Sequence, residues 1–377
     1  MDLSLTEQEQ LLKDSVLTFV EREATTTALV DLQESDTGFE AKWLSSMADA
    51  GWLGALVPAE LGGVGANAME AAIICEALGR GPVPGPFMMS SVVSAAMIRA
   101  TERTPARDSL LTAISEGTAV VAPAFSIPDR SWDGLRHGLA PTREDGDVAL
   151  AGTLSYVPYA AGATHLLVPV AEGDATPRAF AVVATNQKGV ASRLLSGFLD
   201  RNYEVSLDRA RLDETCLLTI GSSEVVQNAL ALVYILLAAY QVGGCAALLE
   251  RSVAYSNTRV QFAMPIGRFQ RVQDHIVELL NAMDAARWCT YEAIWRFDAQ
   301  SDEDVAALQA SAHLAQAVSS ESYITCADQA HKVHGGIGVD PQYGLTLYTQ
   351  QSRSLFNFMG DPRWHKREMV AALAWSR

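Results

Sequence analysis

Apolar positions in the first 116 residues recur at three- and four-residue intervals, the spacing of helices that bury one face. One such segment runs from Glu7 through Leu11 to Val20, and the Thr6 hydroxyl stands where it can accept from the unpaired first-turn amides. Phe39 to Ala50 and Asn67 to Leu78 carry the same period, with Asn67 as a candidate cap. Between them, Val57-Pro-Ala-Glu-Leu-Gly-Gly-Val-Gly65 predicts a sharp loop, because glycine and proline both interrupt regular backbone. Gly79 to Pro86 predicts a second break, after which Phe87-Met-Met begins another helix.

The period changes near Thr118. Ala119 to Phe125, Val148 to Leu154, His165 to Val170, Ala179 to Ala184 and Tyr203 to Leu207 are short β-prone runs. Turn-forming stretches such as Glu144-Asp-Gly-Asp147 and Glu172-Gly-Asp174 separate them, which predicts a small antiparallel barrel or sandwich. Helical spacing returns at Ser223, with helices expected over 224–258, 268–298, 303–333, 342–356 and 362–376. Leu279, Leu280, Met283 and Ala286 share one face, as do Leu308, Ala312, Ala315 and Val318, the pattern of an antiparallel bundle. The expected fold is therefore α+β and multidomain. A helical domain spans 1–117, a middle antiparallel β-barrel 118–222, and a C-terminal four-helix bundle 223–377.

Composition narrows the function classes. With 377 residues and 49% hydrophobic content, the chain can bury more than one core. A net charge of −16 opposes nonspecific binding to nucleic acid or to an anionic membrane, although a local basic patch suffices for a phosphorylated ligand. No purely apolar run reaches the ~20 residues of a membrane span. The longest apolar stretch, Ala229 to Leu249, is broken by Tyr234, Tyr240, Gln241 and two glycines, and reads as a buried helix. The first residues lack the basic and apolar regions of a signal peptide, so a cytoplasmic location is expected. The five cysteines are scattered without metal-ligand spacing and read as core residues.

The chemistry concentrates in Arg259-Val-Gln-Phe-Ala-Met-Pro-Ile-Gly-Arg-Phe-Gln270 and His334-Gly-Gly-Ile-Gly338. A guanidinium at a helix end before a proline loop has two readings. It is a solvated partner of the helix dipole, or a planar fork for phosphate. The spacing around Arg259 decides for the second, since the segment closely resembles the flavin-contacting signature of acyl-CoA dehydrogenases. Pro58-Ala-Glu-Leu-Gly-Gly63 also resembles an element of that family, and the helix–strand–helix order agrees over nearly the whole chain. The resemblance implies that flavin adenine dinucleotide (FAD) is held by Arg259 at its pyrophosphate, by Phe262 near its adenine, and by Gln270. It also implies that the backbone of Gly335 and Gly336 approaches the nucleotide, where a side chain would intrude. The family's glutamine three residues before the glycine pair is Lys332 here, which can meet phosphate but lacks an amide's acceptor. His331 and His334 read as packed or partly exposed histidines rather than catalytic residues.

Other parts of the family pattern are missing. Acyl thioester dehydrogenation needs a carboxylate to take the α-proton. The two usual positions for that glutamate fall on Met359 and Val233. Asp361 is the candidate for a relocated base, with Glu368 the other nearby carboxylate, yet Asp361 before Pro362 also reads as a helix cap. The arginine that often follows the second base position is Tyr234, leaving scattered Arg130 and Arg136 as possible phosphate contacts. In the barrel, Val121 to Asp129 keeps only Ser126 and Asp129 of the flavin-wrapping stretch, and Pro158 replaces a flavin-bonding threonine.

In the family the flavin lies between subunits, and this chain keeps the residues offered to a neighbour. The resemblance therefore implies a non-catalytic partner of a homologous catalytic subunit, as in heterotetrameric actinobacterial acyl-CoA dehydrogenases of the steroid side-chain type. The complex would act on an acyl-CoA and pass electrons to an electron-transfer flavoprotein. Two alternatives stand beside it. One is a self-sufficient acyl-CoA or acyl-carrier-protein dehydrogenase using Asp361; the other is a structural or binding protein on this scaffold without flavin.

Overall fold

The computed structural model describes residues 4–128, 132–144, 147–171, 176–196, 201–299 and 305–374. In chain order it begins with α1 (Glu7–Glu23), α2 (Thr26–Glu34), α3 (Ala41–Asp49) and α4 (Ala68–Gly79). A π-helical stretch, Phe87–Ser94, leads into α5 (Ala95–Arg99), and α6 (Pro105–Ser115) follows. The strands are β1 (Val121–Pro123), β2 (Pro141–Glu144), β3 (Asp147–Pro158), β4 (His165–Val170), β5 (Ala179–Ala184), β6 (Val190–Leu195), β7 (Asn202–Leu212) and β8 (Leu217–Thr219). Next come α7 (Ser223–Thr258), the two-residue strands β9 (Val260–Gln261) and β10 (Met264–Pro265), and α8 (Gln270–Ala299). The chain closes with α9 (Val305–His334), α10 (Leu345–Phe356) and α11 (Pro362–Ala372).

These elements form two compact units. The first comprises Met1–Asp31, Ala68–Val83 and Tyr234–Arg377; the second comprises Leu32–Asn67 and Pro84–Val233.

The first unit is helical, and its local signals act as expected. Thr6 and Glu9 form a capping box at α1: Thr6 Oγ1 accepts from the Glu9 amide at 3.2 Å, and the Glu9 carboxylate accepts from the Thr6 amide at 2.7 Å. The amides of Ala68 and Met69 at the start of α4 donate to the Asp298 carboxylate at 2.8 and 3.0 Å, a partner no local reading supplies. The glycines inside α7 have steric causes. A Cβ on Gly243 would strike the Glu76 carbonyl oxygen of α4, and one on Gly79 would strike that of Tyr240, so the two backbones cross in direct contact. Gly244 faces the Tyr323 ring of α9 in the same way. By length and hydropathy alone α7 does qualify as a membrane span, but 94% of that apolar window is buried inside the protein, as in a core helix. Near the C-terminus, 3-10 turns occupy Pro341–Tyr343, and Gly344 at φ 80° delays α10 to Leu345, three residues beyond the expected start.

The second unit holds two four-stranded sheets, ordered β1-β4-β5-β8 and β2-β3-β7-β6. Strand β4 is almost wholly buried, as its unbroken apolar run requires, whereas β7 alternates. The expectation of a wholly antiparallel arrangement needs one correction. β1 runs parallel to β4, pairing Val121 with His165, because the intervening hairpin β2–β3 carries the chain back before β4 begins. β2, β6 and β8 escape the sequence pattern: β6 is largely exposed, and β2 is a four-residue edge opening on Pro141. Part of the turn expected at 144–147 and all of that at 172–174 lie outside the described residues, as do Asp129 and Arg130.

Candidate functional site

The last turn of α7 ends where the Arg259 amide donates to Tyr255 O at 2.8 Å. The chain then reverses through β9 and β10, and the Ile266 amide closes the loop on Arg259 O at 2.9 Å. Phe262 and Ala263 form the tip with φ of 52° and 63°. Positive φ at both central residues is what a two-residue hairpin demands, and it costs a non-glycine residue about 1–2 kcal/mol. The turn leaves Phe262 with 85% of its surface exposed, its ring edge-on to Phe269 at 6.0 Å. The strained turn thus holds an apolar ring outward into open space. Arg259 is exposed as well and pairs with no carboxylate among the described residues, and Gln270 opens α8 in an exposed position.

Elsewhere in the first unit, α9 runs into Gly335 and Gly336. Gly335 has φ 63°, which only glycine adopts freely. Among the described residues, a Cβ built on either glycine meets nothing within 4 Å, whereas one on Gly338 would lie 2.9 Å from His331 Nδ1. Packing within the chain therefore accounts for Gly338 but not for Gly336, and leaves open space over the pair. That space, an arginine without a carboxylate partner and an outward aromatic ring fit the phosphate and adenine portions of a dinucleotide. Lys332 is exposed and turns back to Gln329, donating to Oε1 at 3.3 Å, while Gln329 also bonds His275 at 2.8 Å.

The two base positions lie elsewhere and are sealed. Val233 is fully buried in α7; Met359 is buried with φ 55°. Next along α7, Tyr234 packs edge-on to His365 at 4.7 Å and tilted against His313 at 5.2 Å. The two histidines face each other, Nδ1 to Nδ1, at 2.9 Å. Burial lowers the His313 pKa to about 4 and that of His365 to about 3, so both imidazoles are neutral near pH 7. Asp361 is the N-cap of α11: its Oδ1 accepts from the Trp364 amide at 2.6 Å. Asp361→Ala is accordingly expected to cost about 1 kcal/mol of stability, with Asp361→Asn retaining most of it. Urea unfolding of the two variants checks this, and equal losses would refute a capping role.

Arg136 and Arg178 line a cavity of about 360 Å3 in the second unit, together with Leu135, Phe180, Ile220 and Val226. The face of α8 opposite its buried side exposes Val277, Trp288 and Trp295, and Leu280, expected on the core face with Leu279, is itself 40% exposed at its edge. His334 is buried, and desolvation, then Arg251 and His331, lower its pKa to about 4.

The family model described as acyl-CoA dehydrogenase, N-terminal domain, matches residues 6–117, and that for the C-terminal domain matches residues 197–372. Acyl-CoA dehydrogenase IpdE2 of Mycolicibacterium smegmatis is 25% identical over 368 residues, covering 97% of this chain and 99% of its own. The ChsE4-ChsE5 complex of Mycobacterium tuberculosis includes a chain that superposes with a TM-score of 0.89 at 23% identity, over 100% of both chains. The Tcur3481-Tcur3483 steroid ACAD gives 0.85 at 23% identity, over 98% of each.

Proposed function

This chain belongs to the acyl-CoA dehydrogenase family, and from that membership we propose that it is the non-catalytic subunit of a hetero-oligomeric acyl-CoA dehydrogenase. Its role is to complete the FAD pocket of a homologous catalytic subunit. The observation that carries this reading is the split in its site. The glycine pair faces open space, while both positions for the base are apolar and buried in the core.

FAD, when bound, accepts the hydride that leaves the β-carbon of an acyl thioester. Toward it, Arg259 supplies a guanidinium fork for the pyrophosphate, Phe262 an apolar face for the adenine, and Gln270 an amide. Gly335 and Gly336 admit the nucleotide close to backbone, and Lys332 adds positive charge nearby once released from Gln329. The α-proton requires a carboxylate that neither Met359 nor Val233 provides, so the base belongs to the partner. Asp361, engaged as a helix cap, is the less suited alternative. The exposed stripe on α8 supports association with a second chain. The substrate class is a coenzyme A thioester with a bulky acyl group of the steroid side-chain kind. That choice is supported by the neighbouring ChsE4-ChsE5 complex and the steroid ACAD, and an electron-transfer flavoprotein is the expected electron acceptor.

Co-expression with a homologous subunit that carries the glutamate tests the proposal. Purified alone, the chain should hold little flavin; the assembled complex should hold about one FAD per pair of unlike subunits, as a shared site requires. Stoichiometric FAD in the isolated chain would overturn it.

A further inference from the structure

The two nucleotide-facing elements of the first unit leave different helices, Arg259 from the end of α7 and the glycine pair from the end of α9. One side chain touches the supports of both. His334 immediately precedes Gly335, and its imidazole stacks on Tyr255 with centroids 4.5 Å apart and an interplanar angle of 23°. Tyr255 is the residue whose carbonyl accepts from the Arg259 amide, so the stack bears on the turn that aims Arg259. The ring nitrogens are both engaged. Nδ1 lies 2.8 Å from the Tyr343 hydroxyl, and Nε2 lies 3.4 Å from Ser252 Oγ on α7. Tyr343 is fixed in turn by Arg251, whose guanidinium donates to Tyr343 O at 2.7 Å and lies 5.5 Å from the centre of its ring.

Ordinary core packing does not require this arrangement. A leucine would fill the volume, yet a histidine is buried here despite the penalty of desolvating its ring. What the imidazole adds is direction: a plane matched to Tyr255 and two polar atoms at opposite edges. We infer that His334 is a positioning residue, holding the Arg259 turn and the Gly335–Gly336 turn in one fixed relation so that both meet the same nucleotide. The positioning follows from this chain alone; its use for FAD rests on the function proposed above.

Hydrogen exchange on the purified chain and FAD titration of the assembled complex test the two parts separately. His334→Ala is expected to speed exchange in peptides covering both 253–265 and 334–343. It should weaken FAD binding about tenfold, the effect of losing one ring stack and its hydrogen bonds. His334→Phe keeps the stack without the hydrogen bonds and should recover part of the affinity. Asp361→Ala, a destabilised control that removes a cap on another helix, should not reproduce this pattern. Faster exchange confined to 334–343, or failure of His334→Phe to recover any of what His334→Ala loses, would overturn the inference. If the assembled complex binds no FAD at all, the flavin reading fails, and the exchange pattern still decides whether His334 couples the two turns.

Discussion

Replacing Arg259 with alanine is expected to weaken FAD retention by the assembled complex about 10- to 100-fold, without altering assembly or thermal stability. The guanidinium is exposed and pairs with no carboxylate among the described residues, so its removal leaves no buried charge behind. Charge-assisted hydrogen bonds to phosphate contribute about 1.5–3 kcal/mol, which sets the expected factor. Arg259→Lys keeps the charge but loses the planar fork, and should fall between the two. Equilibrium dialysis of the complex against FAD measures the effect. Unchanged retention in Arg259→Ala would remove Arg259 from the pocket, whatever the fate of the other contacts. The prediction concerns the complex, because the isolated chain presents only one side of the nucleotide.

Elements with a strong local cause are the ones legible in the sequence. Thr6 and Glu9 lie three residues apart and form their capping box. His165–Val170 and Ala179–Ala184 match β4 and β5 because uninterrupted apolar runs permit little else there. Asp361 caps α11 as the Asp-Pro pair suggests. What escapes depends on distant partners. β6 is a strand because β7 lies beside it, although its own residues are mostly exposed. Ala68 donates to Asp298, 230 residues away, and no pattern around Asn67 could indicate it. The site divides along the same line. Arg259, Phe262 and the glycine pair are legible because their spacing is itself the signal. The stack of His334 on Tyr255 joins residues that share no motif, and only tertiary structure brings them together. Gly243 is instructive in another way: an interruption in an apolar helix marks the point where α4 and α7 touch backbone to backbone.

Stability of the purified chain is expected to fall steeply between pH 7 and pH 5, by about 3–4 kcal/mol from His313 and His365 alone. Both rings are buried and neutral. Desolvation depresses both pKa values, and for His365 the His313 ring lowers it further while the Met359 backbone offsets this only in part. Tyr234 and Trp364 cover the pair and bring no negative charge to it. The unfolded chain titrates near the ordinary value of 6.5, while the folded chain resists protonation until about pH 4 for His313 and about pH 3 for His365. Across that window the unfolded state binds more protons, so stability rises with pH and is lost as pH falls from 6.5. Each ring contributes about 1.4 kcal/mol per pH unit there. His334, lowered in the same direction, steepens the slope. Against a total stability of about 5–15 kcal/mol, the loss is large enough to unfold a marginal chain under mildly acid conditions. Urea midpoints at fixed protein concentration, taken from pH 7.5 to 4.5, measure it. The double variant His313→Leu/His365→Leu removes both titrating rings at once, so most of the slope should vanish with the fold intact. A slope unchanged in that variant would show that the acid sensitivity originates elsewhere, and that the ring pair beside the absent base is not held neutral by its burial.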